Sequence, residues 1–276
     1  MEKQKLPLPE VTRFISGLEK RPEYLDVIGH NNRFQALGRV AAIYADWMEE
    51  TRPKDKGEIL NQMSVGIMST LPGFLHGSRE LARLYELEEV GATVKRSEKV
   101  PHLEAVIPFN HRLRDFIDMF PELNFEQVQN YCTQMALFMS GPTDAAYCKQ
   151  IVREQLVGMR TEIGMSQILW KIDGVEDVIP AQTVEQEMHG VDLIVTYHGK
   201  LLLLDAKTSD MGAQKALAKH RSTTADTSGY PVYPGLKYED FSGGFRISDE
   251  TAGHLAPHLE SMLDSIYSQT YRSTAV

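Results

Sequence analysis

Only two cysteines, Cys132 and Cys148, stand in a chain of 276 residues, and they form neither a C-x-x-C pair nor part of a Cys/His quartet at zinc-finger spacing. A disulfide framework and structural zinc are thereby set aside. Long apolar runs are missing too. Nothing approaches the ~18 consecutive apolar residues of a membrane span, and the start, MEKQKLPLPE, is charged and Pro-containing with no apolar segment behind it. The expectation is a cytoplasmic protein in a reducing compartment, with no membrane partner. Internal repeats, low-complexity tracts, a Walker loop and a G-x-S-x-G elbow are also absent. Finally, there is no surplus of positive charge: the net charge is −9, with 17 Lys/Arg against 20 Asp/Glu up to residue 140 and 12 against 18 after it. Neither part is a basic arm, so contact with a polyanion requires a local patch or a partner.

What is present fits a folded globular chain, 42% hydrophobic and 24% charged. Up to about residue 140 the apolar residues return at helical spacing, as in Phe34, Leu37, Val40, Ala41, Tyr44 and Met48, or Leu113, Phe116, Ile117 and Phe120. Helix breaks are expected at Pro53, Pro72, Pro101, Pro108 and Pro121. Asn124, followed by Glu126 and Gln127, reads as a capped start for a helix to about Met139. The punctuation Gly141-Pro142-Thr143-Asp144 divides the chain, and Thr143 or Asp144 could cap a helix reaching about Trp170. Short β-leaning runs follow over 175–184, 191–197 and 200–206, then helical texture over 211–220, a Tyr/Pro/Gly-rich stretch, and a last helix from about Ser248 to Tyr271. The expected fold class is α/β (α+β): a helical region over 1–140, for substrate contact, dimerisation or docking, and a second domain over 141–276.

The most informative stretch runs from His189 to Ser209. Two strand-like runs meet at His198-Gly199, a two-residue connection suited to a primed turn. With that turn, Tyr197 opposes Lys200 and Asp192 opposes Asp205. Like charges so placed destabilise a ladder, and a divalent cation supplies a reason for them. Mg²⁺ takes one or two carboxylates and keeps waters and phosphate oxygens around it. Lys207 points to the same face as Asp205 and could orient or deprotonate an attacking water, or stabilise charge on a phosphate, and the Ala206 carbonyl is a further oxygen ligand. The plainer alternative is a solvated Asp205–Lys207 ion pair at a strand end.

These residues, with Glu162 on the preceding helix, resemble the D…(D/E)-x-K core of the PD-(D/E)XK nuclease superfamily, which includes restriction endonucleases. The likeness covers about residues 145 to 220. Val191 stands where that superfamily often has proline, and Ala218 where one subgroup has tyrosine four residues after Gln214. The resemblance implies a restriction-endonuclease-like αβββαβ core with a central mixed sheet. It also implies phosphodiester hydrolysis dependent on Mg²⁺, with Mn²⁺ as a substitute. Asp192 and Asp205 would be metal ligands with Ala206, Lys207 the catalytic lysine, and Glu162 an auxiliary acid.

Lys215, Lys219, His220 and Arg221 make the densest basic cluster, either a phosphate-contacting helix or a solvated face. The aromatic residues over 230–245 either stack bases or pack a loop against the sheet. His254 and His258 flank Pro257 and read as surface histidines. The expected function is a metal-dependent deoxyribonuclease, with DNA as partner, working as a homodimer or inside a larger complex. The alternatives are a non-catalytic interaction protein retaining a nuclease-like fold, and a metal-dependent enzyme acting on a nucleotide.

Overall fold

The computed structural model describes residues 11–29, 32–49, 53, 55–140, 145–181, 183, 185–186, 189–222 and 228–271; the side chains over 11–14, 47–49 and 219–222 and that of residue 140 are outside the description. Seven helices come first: α1 (Val11–Glu19), α2 (Pro22–Ile28), α3 (Arg33–Glu49), α4 (Lys56–Glu89), α5 (Arg96–Met119), α6 (Phe125–Ser140) and α7 (Ala145–Leu169). They are followed by β1 (Val175–Pro180), β2 (Leu193–Tyr197), β3 (Lys200–Ala206), α8 (Asp210–Ser222), β4 (Tyr230–Val232) and α9 (Asp249–Tyr271). The chain is α+β, and it divides into two compact units, Met1–Gln155 and Leu156–Val276, with the division inside α7. The caps expected at Thr143 or Asp144 lie outside the described residues.

Every element described in the first unit is a helix. Its longest element, α4, runs for 34 residues straight through Pro72, and α5 runs through Pro101 and Pro108. The breaks expected at these three prolines do not occur, whereas Pro53 and Pro121 lie outside helices as expected. A proline inside a helix removes one N–H bond and crowds the carbonyl four residues earlier, so packing must offset the cost. Around Pro72 that packing is visible: a Cβ at Gly38 would lie 2.6 Å from Pro72 Cγ, so α3 meets the ring only because residue 38 lacks a side chain. A Cβ at Gly77 would similarly lie 2.6 Å from the His102 carbonyl oxygen, which lets the α4 and α5 backbones close on each other. Phe74 and Phe109 stack between those helices with ring centroids 4.0 Å apart. The α6 start is a reciprocal cap: Asn124 Oδ1 accepts from Gln127 N–H at 2.8 Å, and Gln127 Oε1 from Asn124 N–H at 3.1 Å.

In the second unit the strands lie in the order β1-β2-β3-β4, the first three antiparallel and β4 parallel to β3. Alternation along β2 and β3 buries Leu193, Val195, Tyr197, Leu202 and Leu204 on one face. The end of α7 (Met165, Ile168, Leu169) and one side of α9 (Ala256, Leu259, Leu263, Ile266) complete that core. Ser248 opens α9 as expected, its Oγ accepting from Thr251 N–H at 3.0 Å. The opposite face is less covered: Ile179 and Leu201 are 40% and 59% exposed. No helix among the described residues is long and apolar enough to cross a membrane.

Candidate functional site

The hairpin forms in the expected register, with Cα pairs from Leu193↔Leu204 to Tyr197↔Lys200. The turn residues His198 and Gly199 both have positive φ, 48° and 69°, as a two-residue primed turn demands. Glycine supplies this without strain. His198 accepts it with help from its surroundings, its N–H donating to Gly174 O at 2.9 Å.

At the far end of the ladder the pairing departs from a simple opposition of two acids. Leu204 is already the partner of Leu193, yet its carbonyl also accepts from Asp192 N–H at 2.8 Å. Two residues of one strand thus address one residue of the other, the arrangement of a bulge. On its other side, Asp192 O accepts from Ala181 N–H at 2.8 Å. The Asp192 carboxylate turns back on β3, where Oδ2 accepts from Ala206 N–H at 2.7 Å. Asp205 is buried, 8% exposed, and its Oδ1 lies 2.6 Å from Lys207 Nζ. Each acid therefore has a partner from the chain itself, a backbone dipole for Asp192 and an ammonium for Asp205. These relieve the repulsion that adjacent carboxylates would otherwise suffer.

Backbone contacts hold this end of the sheet. Lys207 N–H donates to Val232 O at 2.7 Å, tying the lysine to β4, and Asp205 stands beside Pro231 in the parallel pair. The loop before Asp192 passes over the site: Gly190 has φ +63°, and a Cβ there would lie 3.6 Å from Asp205 Oδ2. That loop is backed by Gly229, whose N–H donates to His189 O at 2.9 Å and whose own Cβ would fall 2.1 Å from Gly190 O. Residues 190 and 229 thus set how closely the backbone approaches the Asp205 carboxylate. Sequence reading singled out neither, since the signal is a contact between segments far apart in the chain.

The other sequence-derived residues distribute unevenly. Alternation along β3 places Asp205 on the face opposite Leu202 and Leu204, whereas α7 packs its buried side chains on their face. Glu162 lies half-buried on α7, and no group of three or more His, Cys, Asp or Glu side chains suited to a metal forms among the described residues. The Asp192 carboxylate does reach Ala206, and Asp205 reaches Lys207. Lys215 is exposed on α8, while the side chains of Lys219 and Arg221 lie outside the described residues. Within the Tyr/Pro/Gly-rich stretch, Phe241 and Phe245 are 3% exposed and serve packing, while Tyr238 is 54% exposed. His254 and His258 are exposed on α9.

One buried cation escaped the sequence reading. Arg160 is 5% exposed, with its guanidinium over the rings of Tyr238 and Phe241 at 4.5 and 4.6 Å. Burial lowers its pKa below the ordinary arginine value, and Tyr238 works against that shift.

The donor chemistry fits a hard divalent cation. Two carboxylates and a carbonyl are oxygen ligands, and Mg²⁺ is commonly held by one or two carboxylates, with waters and phosphate oxygens filling its remaining positions. The chain matches no family model, no curated protein and no solved structure.

Proposed function

We propose that the Leu156–Val276 unit is a Mg²⁺-dependent nuclease domain with a restriction-endonuclease-like core, acting on phosphodiester bonds in DNA. The observation that carries this reading is the placement of Asp192, Asp205, Ala206 and Lys207 at one end of the β2–β3 hairpin, with Asp192 Oδ2 accepting from Ala206 N–H at 2.7 Å and Lys207 Nζ 2.6 Å from Asp205. The order α7-β1-β2-β3-α8-β4, with an antiparallel trio and a parallel fourth strand, supports it, being the αβββαβ order that the resemblance implies.

Asp192, Asp205 and the Ala206 carbonyl would hold the cation; Glu162 is not needed for that set. A bound Mg²⁺ supplies Lewis-acid polarisation of a phosphoryl oxygen and a more acidic water. The chain's own residues do the rest. The Ala206 N–H fixes the Asp192 carboxylate, and the Gly190 loop shields Asp205 from bulk water. Lys207 carries a proton at Nζ where negative charge develops on a phosphate. Lys215, Lys219 and Arg221, on the helix that follows, supply phosphate contacts without sequence preference. The net charge of −9 favours a protein that meets DNA as a homodimer or within a larger complex.

A second reading is a non-catalytic interaction protein on the same scaffold. It is favoured by the internal partners of the two acids, which account for them without a cation. Cleavage of plasmid, linear duplex, single-stranded DNA and RNA in Mg²⁺, Mn²⁺ or EDTA separates the two. The nuclease reading expects EDTA-sensitive cleavage of DNA that falls about 10²-fold or more in Asp205→Asn and in Lys207→Ala. Cleavage indifferent to both substitutions removes the site, and absence of cleavage on every substrate favours the second reading.

A further inference from the structure

Helix α9 carries two histidines, His254 and His258, on either side of Pro257. Read locally, the proline would separate them. In the structure α9 is continuous from Asp249 to Tyr271, so the two stand at i and i+4 of one helix. The N–H that Pro257 lacks would have met the Gly253 carbonyl; both residues are exposed, so water serves that carbonyl instead. Side chains at i and i+4 share a face with Cβ atoms roughly 5–6 Å apart. That is the spacing at which a helix presents two imidazoles to one metal ion.

The face is open. His254 and His258 are exposed, with Gly253 and Pro257 beside them, whereas Ala256 and Leu259 turn to the core. A Cβ at Gly253 would meet nothing within 4 Å, so a hydrated ion has access along that flank. The charge of the helix also favours a cation. Its 23 residues include Asp249, Glu250, Glu260 and Asp264 and neither Lys nor Arg. Of these, Asp249 is already paired with Lys171 at 2.7 Å, and Asp264 accepts from the Tyr197 hydroxyl at 2.8 Å. Glu250 lies one turn before His254 but eight residues from His258, about 12 Å along the axis. It therefore adds negative potential without being a third ligand, in keeping with the lack of any three-residue metal group among the described residues.

We propose that His254 and His258 form a chelating site for a late first-row divalent cation of the Zn²⁺, Ni²⁺ or Cu²⁺ class. Imidazole nitrogen suits these ions, whereas Mg²⁺ takes oxygen. Two nitrogens come from the chain, and water fills the remaining positions. One imidazole alone holds such an ion weakly; a second one a helical turn away makes the next bond intramolecular. The site shares neither ligands nor ion type with the carboxylates of β2 and β3, so it stands or falls independently of the nuclease reading.

The test is isothermal titration of the full chain with Zn²⁺ in excess Mg²⁺, beside His254→Ala, His258→Ala and the double variant. The other seven of the nine histidines are common to all four proteins and give a constant background. The expected result is that each single variant loses one tight Zn²⁺ equivalent, its affinity falling about tenfold or more. The double variant should lose little beyond either single, because removing one imidazole already breaks the chelate. No saturable Zn²⁺ binding by the wild type overturns the proposal. So does an unchanged number of tight sites in both single variants, or a loss in one of them alone, which would mean a single imidazole acting without its neighbour. Circular dichroism checks folding, and His254→Gln or His258→Gln replaces any alanine variant that fails to fold.

Discussion

Cys132 and Cys148 are 0% and 1% exposed, and burial pushes the Cys132 thiol up to about 12. The thiolate is the reactive form, so neither residue is placed to act as a nucleophile. Native protein at pH 8 should therefore give no prompt reaction with a chromogenic disulfide reagent, and two thiols per chain after unfolding in guanidinium; one fast equivalent in the native state would contradict the burial. At this scale the sequence carried the hairpin on which the candidate residues stand. The pairing from Leu193↔Leu204 to Tyr197↔Lys200 was legible because a two-residue turn fixes it by short-range geometry, whereas the bulge at Asp192, which takes it out of simple opposition to Asp205, was not. Arg160 was not, since the rings of Tyr238 and Phe241 reach it only after the chain has returned from a remote segment. Nor was the Gly190–Gly229 contact, for the same reason.

Among the elements, proline gave the clearest divergence between local rule and outcome. Pro72, Pro101 and Pro108 disfavour helix continuation locally, yet α4 and α5 pass through all three. For Pro72 the compensation includes Gly38, a residue more than thirty positions earlier, and local reading has no access to it. Gly38→Ala should overpack the α3–α4 contact and cost about 1–3 kcal/mol in urea unfolding. Because the clash is with the Pro72 ring, the same substitution in a Pro72→Ala background should cost at least about 1 kcal/mol less. Equal costs in both backgrounds would show that the ring is not what Gly38 accommodates. The hairpin, by contrast, formed as expected, since positive φ at Gly199 and alternation along both strands depend on near neighbours.

For the whole molecule, buried acidic groups couple folding to alkaline pH. Burial raises the Tyr131 phenol above its usual 10.0, against the effect of its hydrogen bond to Ser64, and moves the Cys132 thiol from 9.0 to about 12. Each group is neutral when protonated, and the folded chain holds the proton more tightly. Stability from these groups is therefore complete below about pH 9 and is lost as pH rises through the window from 9 to 12 and beyond. Thermal melts should show a midpoint steady from pH 7 to 8.5 and falling by pH 10.5; an unchanged midpoint at pH 10.5 would mean these groups titrate alike in both states. The sequence alone determined the helical texture before residue 140, the three-strand run with its turn, and the α+β class, because side-chain period and turn chemistry act within about ten residues. Tertiary structure decided which prolines a helix tolerates, that the division into units falls inside α7, and which groups partner the two acids. These outcomes depend on which distant segments meet, and no local pattern encodes that meeting.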